Sequence, residues 1–216
     1  MIISHNHPAY RETWRDAGPN QFNGAFYYSK EIVKNIIPNV ETDRNWITVN
    51  AKGIACDHSI VFIHNNLHPG RYDWLRKYKD LVLVCGIPET VDKVSHLGTA
   101  IYLPLSIDTE YVGQFRVQEK TKGAAFVGRK SKAQLGNLPR GIDYIHGLPR
   151  QTLLRRMAPY KKIYAVGRTA IEARCLGCLV APYDDRFPDP SIWKVFDNRE
   201  AAVMLQQKLN RIDGRK

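Results

Sequence analysis

Residues 123–130 read GAAFVGRK and residues 161–182 read KKIYAVGRTAIEARCLGCLVAP. In each stretch an apolar run gives way to a Gly-Arg step, first Gly128-Arg129 and then Gly167-Arg168. Such runs predict buried strands of a parallel sheet, and each step delivers backbone N–H groups and a cation at a strand's carboxyl end. Open α/β sheets bind phosphorylated ligands at that edge. The second step leads into Thr169-Ala-Ile-Glu172, which has capping-box spacing, so a helix of about two turns is expected from there to Gly177. On spacing alone Glu172 reads as the cap of that helix. The helix's first turn would still offer N–H groups to an anion, with Arg168 or Arg129 supplying charge.

Working outward, the same pattern of short apolar runs and helical stretches fills the chain. In the first half, residues 1–6 and 46–49, Ser59 to Ile63, Leu81 to Cys85 and Ala100 to Leu103 read as strands. GAFYYSKEIVKNII, closed by Pro38, reads as a helix, and Tyr72 to Tyr78 as a short one. From Pro104 to Lys122 apolar periodicity stops. Strands are expected again at 124–127, 142–145, 163–166 and 179–181, with helices near 151–157 and 198–212. The last helix has an acidic start at Asp197 and Glu200 and an apolar stripe of Ala202, Leu205, Leu209 and Ile212. The fold expected is α/β, two small Rossmann-like domains facing a cleft: residues 1–107, a linker at 108–122, and residues 123–216.

With 216 residues, 44% of them hydrophobic, the chain can bury one large core or two small ones. The longest apolar runs, SIVFI and LVLVCGI, fall far short of the roughly 18 residues of a membrane span, and the N-terminus lacks a secretory pattern, so a cytoplasmic protein is expected. The net charge of +11 is unevenly placed. Residues 1–112 hold 11 Lys and Arg against 12 Asp and Glu, and residues 113–216 hold 21 against 9. The second half is thus at +12, more cations than a diphosphate uses, which points to a polyanion or to a solvated basic face. Cys175 and Cys178 have C-x-x-C spacing but no second pair and no helix to open, so they read as core thiols, and no metal site is expected.

Residues 104–182 resemble the donor half of GT-B-fold glycosyltransferases. The likeness rests on PLSIDTEYV at 104–112, a strand ending in FVGR, the segment HGLPRQTLLRRMAPY at 146–160, and GRTAIEARCLGCLVAP at 167–182. The resemblance implies a nucleoside-diphosphate sugar, UDP-sugar being the expected donor, with no tightly bound cofactor. It implies that Glu172 holds the ribose hydroxyls and Arg129 the diphosphate, beside Gly128, Gly167, Arg168 and Thr169. The chain departs from the family's pattern where Tyr164 and Gln134 stand in place of a glutamate and a phosphate-binding lysine, so Lys130 or Lys132 would have to substitute.

For the acceptor side, His5 and His7 follow the first strand, and His64 and His68 follow Ile63. Histidine titrates in the range suited to taking a hydroxyl proton, so His64, His5 and His7 are the candidate bases, with Asp57, Asp73 and Asp108 left open. His64 also stands where the resembling enzymes have a sugar-contacting histidine. Gly24 reads either as a close approach to substrate or as a turn before a helix, and His68 accompanies it on the acceptor side. Tyr10, Trp14, Phe26, Tyr27 and Tyr28 read as core or as a stacking platform. The preferred acceptor is a hydroxymethylated base in DNA, held through the basic second half; a cell-wall or glycolipid acceptor, or a non-catalytic nucleotide or nucleic-acid binding protein, are the alternatives.

Overall fold

A computed structural model describes residues 1–3, 24–48, 55–63, 70, 72–128, 138–183 and 189–214. Among the described residues nine strands fall into two parallel sheets, and the chain divides into two compact units.

The first unit holds five strands in the order β1-β2-β3-β4-β5: Ile2–Ile3, Asn45–Ile47, Ser59–Ile63, Leu81–Cys85 and Thr99–Tyr102. All neighbours run parallel, with Ile60 level with Trp46 on one side and Val82 on the other. Every residue of β3 and β4 is buried, as expected of strands covered on both faces. Ile3, Ile47, Val61, Ile63, Leu83 and Cys85 share a cluster with Tyr72, Leu75, Val94 and Leu97. Phe62, on the alternate register of β3, meets the rings of Tyr28 and Trp46 at 6.3 Å each. Tyr28 belongs to helix α1 (Gly24–Glu31), which widens into a π-helical stretch at Ile32–Ile36 and ends in a 3-10 turn at Ile37–Asn39. Pro38 in that turn has no N–H with which to continue the helix. Helix α2 (Pro88–Val94) joins β4 to β5, with proline at its first position, where the missing N–H costs nothing.

The second unit, Ser106–Asp197, holds four strands in the order β7-β6-β8-β9: Asp143–Ile145, Lys122–Val127, Tyr160–Tyr164 and Leu179–Ala181. Helix α3 (Thr109–Gly113) precedes β6 and is capped by Asp108, whose carboxylate accepts the N–H of Tyr111 at 2.9 Å. Helix α4 (Arg150–Met157) joins β7 to β8 and α5 (Gly167–Cys175) joins β8 to β9. Lys120 fastens the far ends of these two helices, donating from Nζ to the carbonyl oxygens of Ala158 and Leu176, which follow their last turns. Cys178 beside it is buried, and burial pushes the Cys175 and Cys178 thiols above their ordinary range, so both sit at this joint as protonated core thiols.

The units divide differently from the sequence expectation in two places. Residues 108–122 contain α3 and belong to the second unit, so the chain passes between the units near Leu105. Helix α6 (Asn198–Ile212) packs in the first unit, not the second. Its buried stripe is Ala201, Ala202, Leu205 and Leu209. Three polar ties complement that stripe: Asn198 Nδ2 donates to Glu31 Oε2 at 2.9 Å, Gln206 Oε1 accepts from the N–H of Glu41, and Arg44 pairs with Asp213 at 2.8 Å. Among the described residues no helix is long and apolar enough to cross a membrane.

Candidate functional site

The first sheet's strand order follows the chain without a reversal, whereas in the second β6 lies between β7 and β8 and the order turns back. Ligand crevices of open parallel sheets form at such a reversal, outside the carboxyl ends of the strands. The two strands on that seam end in the two Gly-Arg steps. Gly128 follows β6, and Val166-Gly167 leads from β8 into α5.

The two glycines are required for different reasons. A Cβ on Gly128 would stand 2.6 Å from Phe126 Cζ, and the Phe126 ring is fixed edge-on to Tyr183 at 5.0 Å and tilted on Tyr144 at 5.6 Å. Gly128 is therefore a packing glycine as well as the residue before Arg129. Gly167 has φ +60°, in the left-handed region that a side chain would strain. It opens α5, and the first N–H groups of that helix face the carboxyl edge of β8.

Helix α5 starts three residues earlier than the capping-box pattern implies. Val166 is its N-cap and offers no side-chain cap, so Thr169 and Glu172 lie inside the helix. Glu172 is consequently not a cap. Its side chain is 5% exposed, and Oε1 accepts from Arg168 Nε at 3.0 Å, one turn earlier. Arg150 Nη2 lies 3.0 Å from the same oxygen. Both guanidinium contacts fall on Oε1, and among the described residues no donor is bonded to Oε2. The Arg168 and Arg150 side chains are 6% and 11% exposed. Arg150 also stacks over the Tyr111 ring of α3 at 5.3 Å.

In this buried cluster two guanidiniums meet one carboxylate oxygen, which ties α4 to α5. Such a cluster also fixes the carboxylate, because a two-sided clamp stops the side chain turning. Arg168 therefore acts through Glu172, orienting it, with its Nε directed at that residue and not at the helix N-terminus.

Arg150 and Tyr111 were missed by sequence reasoning. One sign was present: Arg150 is the first residue of α4, where the helix dipole disfavours a cation, so its charge serves something other than its own helix. Its partner Glu172 is too distant in sequence for spacing to connect them.

The remaining candidates fall into two groups. His5, His7, His64, His68, Arg129, Lys130, Lys132 and Gln134, with Tyr10 and Trp14, lie outside the described residues. Gly24 is the first residue of α1, and Tyr28 is a core residue at 4% exposure. Asp57 accepts the N–H of Lys79 at 2.8 Å, Asp73 pairs with Arg76 and His96, and Asp108 caps α3. Tyr164, at the carboxyl end of β8 and level with Phe126, has Lys162 Nζ 5.0 Å over its ring. Among the described residues no group of three or more His, Cys, Asp or Glu is placed to hold a metal ion. Compared with known protein families, curated proteins and solved structures, the chain matches none.

Proposed function

We propose that this protein is a compact GT-B-like glycosyltransferase that takes its sugar from a nucleoside-diphosphate sugar, UDP-sugar foremost, with its donor at the carboxyl edge of the second sheet. The observation that carries the reading is Glu172: a buried carboxylate held through Oε1 by Arg168 and Arg150, on the helix that follows β8, one of the two strands at the strand-order reversal. A carboxylate so fixed offers Oε2 to a pair of adjacent hydroxyls, the pattern a ribose presents. The diphosphate is assigned to the N–H groups at the start of α5 and to Arg129, with Lys130 or Lys132. In this reading Arg168 is a positioning residue. A leaving diphosphate held by cations and N–H groups requires no metal in principle.

The acceptor hydroxyl would lose its proton to His64, with His5 and His7 as the other candidate bases, and the preferred acceptor is a hydroxymethylated base in duplex DNA. Tyr164, standing where retaining relatives of the resembling family carry a glutamate, favours a second reading, a domain that binds nucleotide or nucleic acid without transfer.

Incubation with a panel of nucleotide sugars and a hydroxymethylated duplex, followed by mass spectrometry of the DNA, separates the two. The expected result is a gain of one sugar mass per modified base; no mass gain and no donor hydrolysis with any sugar would remove the transferase. Glycolipid or wall-precursor acceptors in the same assay would relocate the acceptor but keep the donor site. Glu172→Ala with undiminished affinity for the nucleotide sugar would overturn the ribose assignment.

A further inference from the structure

At the opposite edge of the second sheet, where its strands begin, five exposed or half-exposed cations gather around one joint. Lys122 opens β6, level with Tyr160, and its N–H donates to the carbonyl of Pro159 at 3.0 Å. Arg155 and Arg156 occupy the last turn of α4, immediately before that proline, and Lys161 is the second residue of β8. Arg116 lies beside the start of β9, its guanidinium 3.3 Å from where a Cβ on Gly177 would stand. Lys120 is bonded to the two helix ends beneath them, which already answers the negative ends of the helix dipoles. The remaining five charges are therefore in excess of what those helices use. Two are seated on rings, Lys122 over Tyr160 at 5.2 Å and Arg155 over Phe115 at 5.8 Å, which holds their positions. Asp143 at this edge accepts the Tyr160 hydroxyl at 2.6 Å, and Glu119 is the other carboxylate nearby in sequence.

We propose that Lys122, Arg155, Arg156, Lys161 and Arg116 form a phosphate-backbone surface for duplex nucleic acid, separate from the donor site. Cations fixed by rings suit a regular row of phosphates. A lipid surface would call for a set of apolar side chains to insert among the charges, and at this edge only Val117, at 36% exposure, and Leu179, which opens β9 at 71%, are large exposed apolar side chains among the described residues, against five cations. β6 runs five residue steps from Lys122 to Val127, which sets this surface about 16 Å from the carboxyl edge of the same sheet. Nucleic acid bound here is tethered beside the donor site and is not itself the base presented to it. The proposal does not depend on sugar transfer and is tested without a nucleotide sugar.

The test is fluorescence anisotropy of a labelled 24-base-pair duplex of arbitrary sequence with the full chain, across about 50 to 200 mM salt. With five phosphate contacts, affinity falls roughly five-hundredfold over that range, and Lys122→Gln, Arg155→Gln, Arg156→Gln and Lys161→Gln together flatten the slope by about 3 to 4. A variant of equal charge loss in the first unit, Lys77→Gln, Lys79→Gln, Lys93→Gln and Arg211→Gln, keeps most of the wild-type slope. Equal losses in both variants, or no binding by the wild type at about 50 mM salt, would overturn the surface. Binding to phosphatidylglycerol vesicles with none to the duplex would overturn its assignment to nucleic acid. Should the fourfold variant fail to fold, Arg156→Gln with Lys161→Gln is expected to flatten the slope by about 2, and an unchanged slope counts against the proposal.

Discussion

Buried Arg44 in the first unit sits between two carboxylates, Asp80 at 2.9 Å and Asp213 at 2.8 Å, whereas in the second unit two buried guanidiniums share a single oxygen of Glu172. The same contrast runs through the more exposed charges. His58 of the first unit lies between Asp80 and Asp43, while Lys120, Lys122 and Arg155 of the second are turned to carbonyls and aromatic rings. Both units use cations to join secondary-structure elements, the first through paired carboxylates and the second through a shared carboxylate oxygen, carbonyls and rings. The formal charges divide in the same sense, 11 Lys and Arg against 12 Asp and Glu over residues 1–112 and 21 against 9 over residues 113–216.

The strongest way to break this comparison is to remove the one carboxylate that the second unit's buried guanidiniums share. Glu172→Gln removes the charge that Arg150 and Arg168 share and is expected to cost about 3–5 kcal/mol, read as lost amide protection in α5 and β8 by hydrogen exchange. Arg44→Met is the matching change in the first unit. There Asp80 remains 55% exposed and can be hydrated, so the cost is expected to be lower, about 1–3 kcal/mol. A larger loss for Arg44→Met than for Glu172→Gln would show that the shared carboxylate is not the critical charge.

A mid-sized effect separates packing from ligand approach at the sheet's edge. Gly128→Ala drives a methyl into the Phe126 ring and is expected to cost about 1–3 kcal/mol, with much of it recovered when Phe126→Leu is added. If the single change instead leaves stability intact and weakens nucleotide binding alone, the glycine serves the ligand and not the ring.

The smallest effect belongs to the solvated pair of the first unit. The hydrogen bond to Asp80 raises His58 above its ordinary 6.5, against desolvation and the nearby Arg44, with Asp43 adding to the rise. The same bond, followed by that from Arg44, holds Asp80 below its ordinary 3.8. The His58 contribution is complete below about pH 6.5 and is lost as pH rises through its raised value. The Asp80 contribution is complete above about pH 3.8 and is lost as pH falls through its lowered value. Melting temperature of the wild type should therefore peak between these limits, and His58→Gln should remove the alkaline decline. Both side chains are about half exposed, so the change is slight and shrinks with salt.

What the sequence disclosed follows from how local each signal was. The runs Ser59–Ile63 and Leu81–Cys85 are buried on both faces and read as such, and the apolar stripe of 198–212 marks its helix unaided. Helix α2 was missed because PETVDKV has too few apolar residues for periodicity, although Pro88 marked its start. β8 begins at Tyr160, three residues before the expected strand, because Lys161 and Lys162 look like loop but point their charges outward from a strand buried at Tyr160 and Ile163. The clamp on Glu172 was out of reach for a different reason. Arg150 and Glu172 meet only once α4 and α5 lie side by side, so T-x-x-E spacing suggested a cap where tertiary structure makes an ion cluster. The same holds for α6, whose stripe is visible but whose partner is not.

Because α6 returns to the first unit, residues 106–197 form an insertion whose entry and exit run side by side. Ile107 bridges to Asp197, and the N–H and hydroxyl of Thr109 both donate to the Asp197 carboxylate. During synthesis the first unit cannot bury its α1 and π-helical face under α6 until residues beyond 198 have emerged, by which time the whole insertion is available to fold. The insertion is thus fully synthesised before the first unit can close on α6.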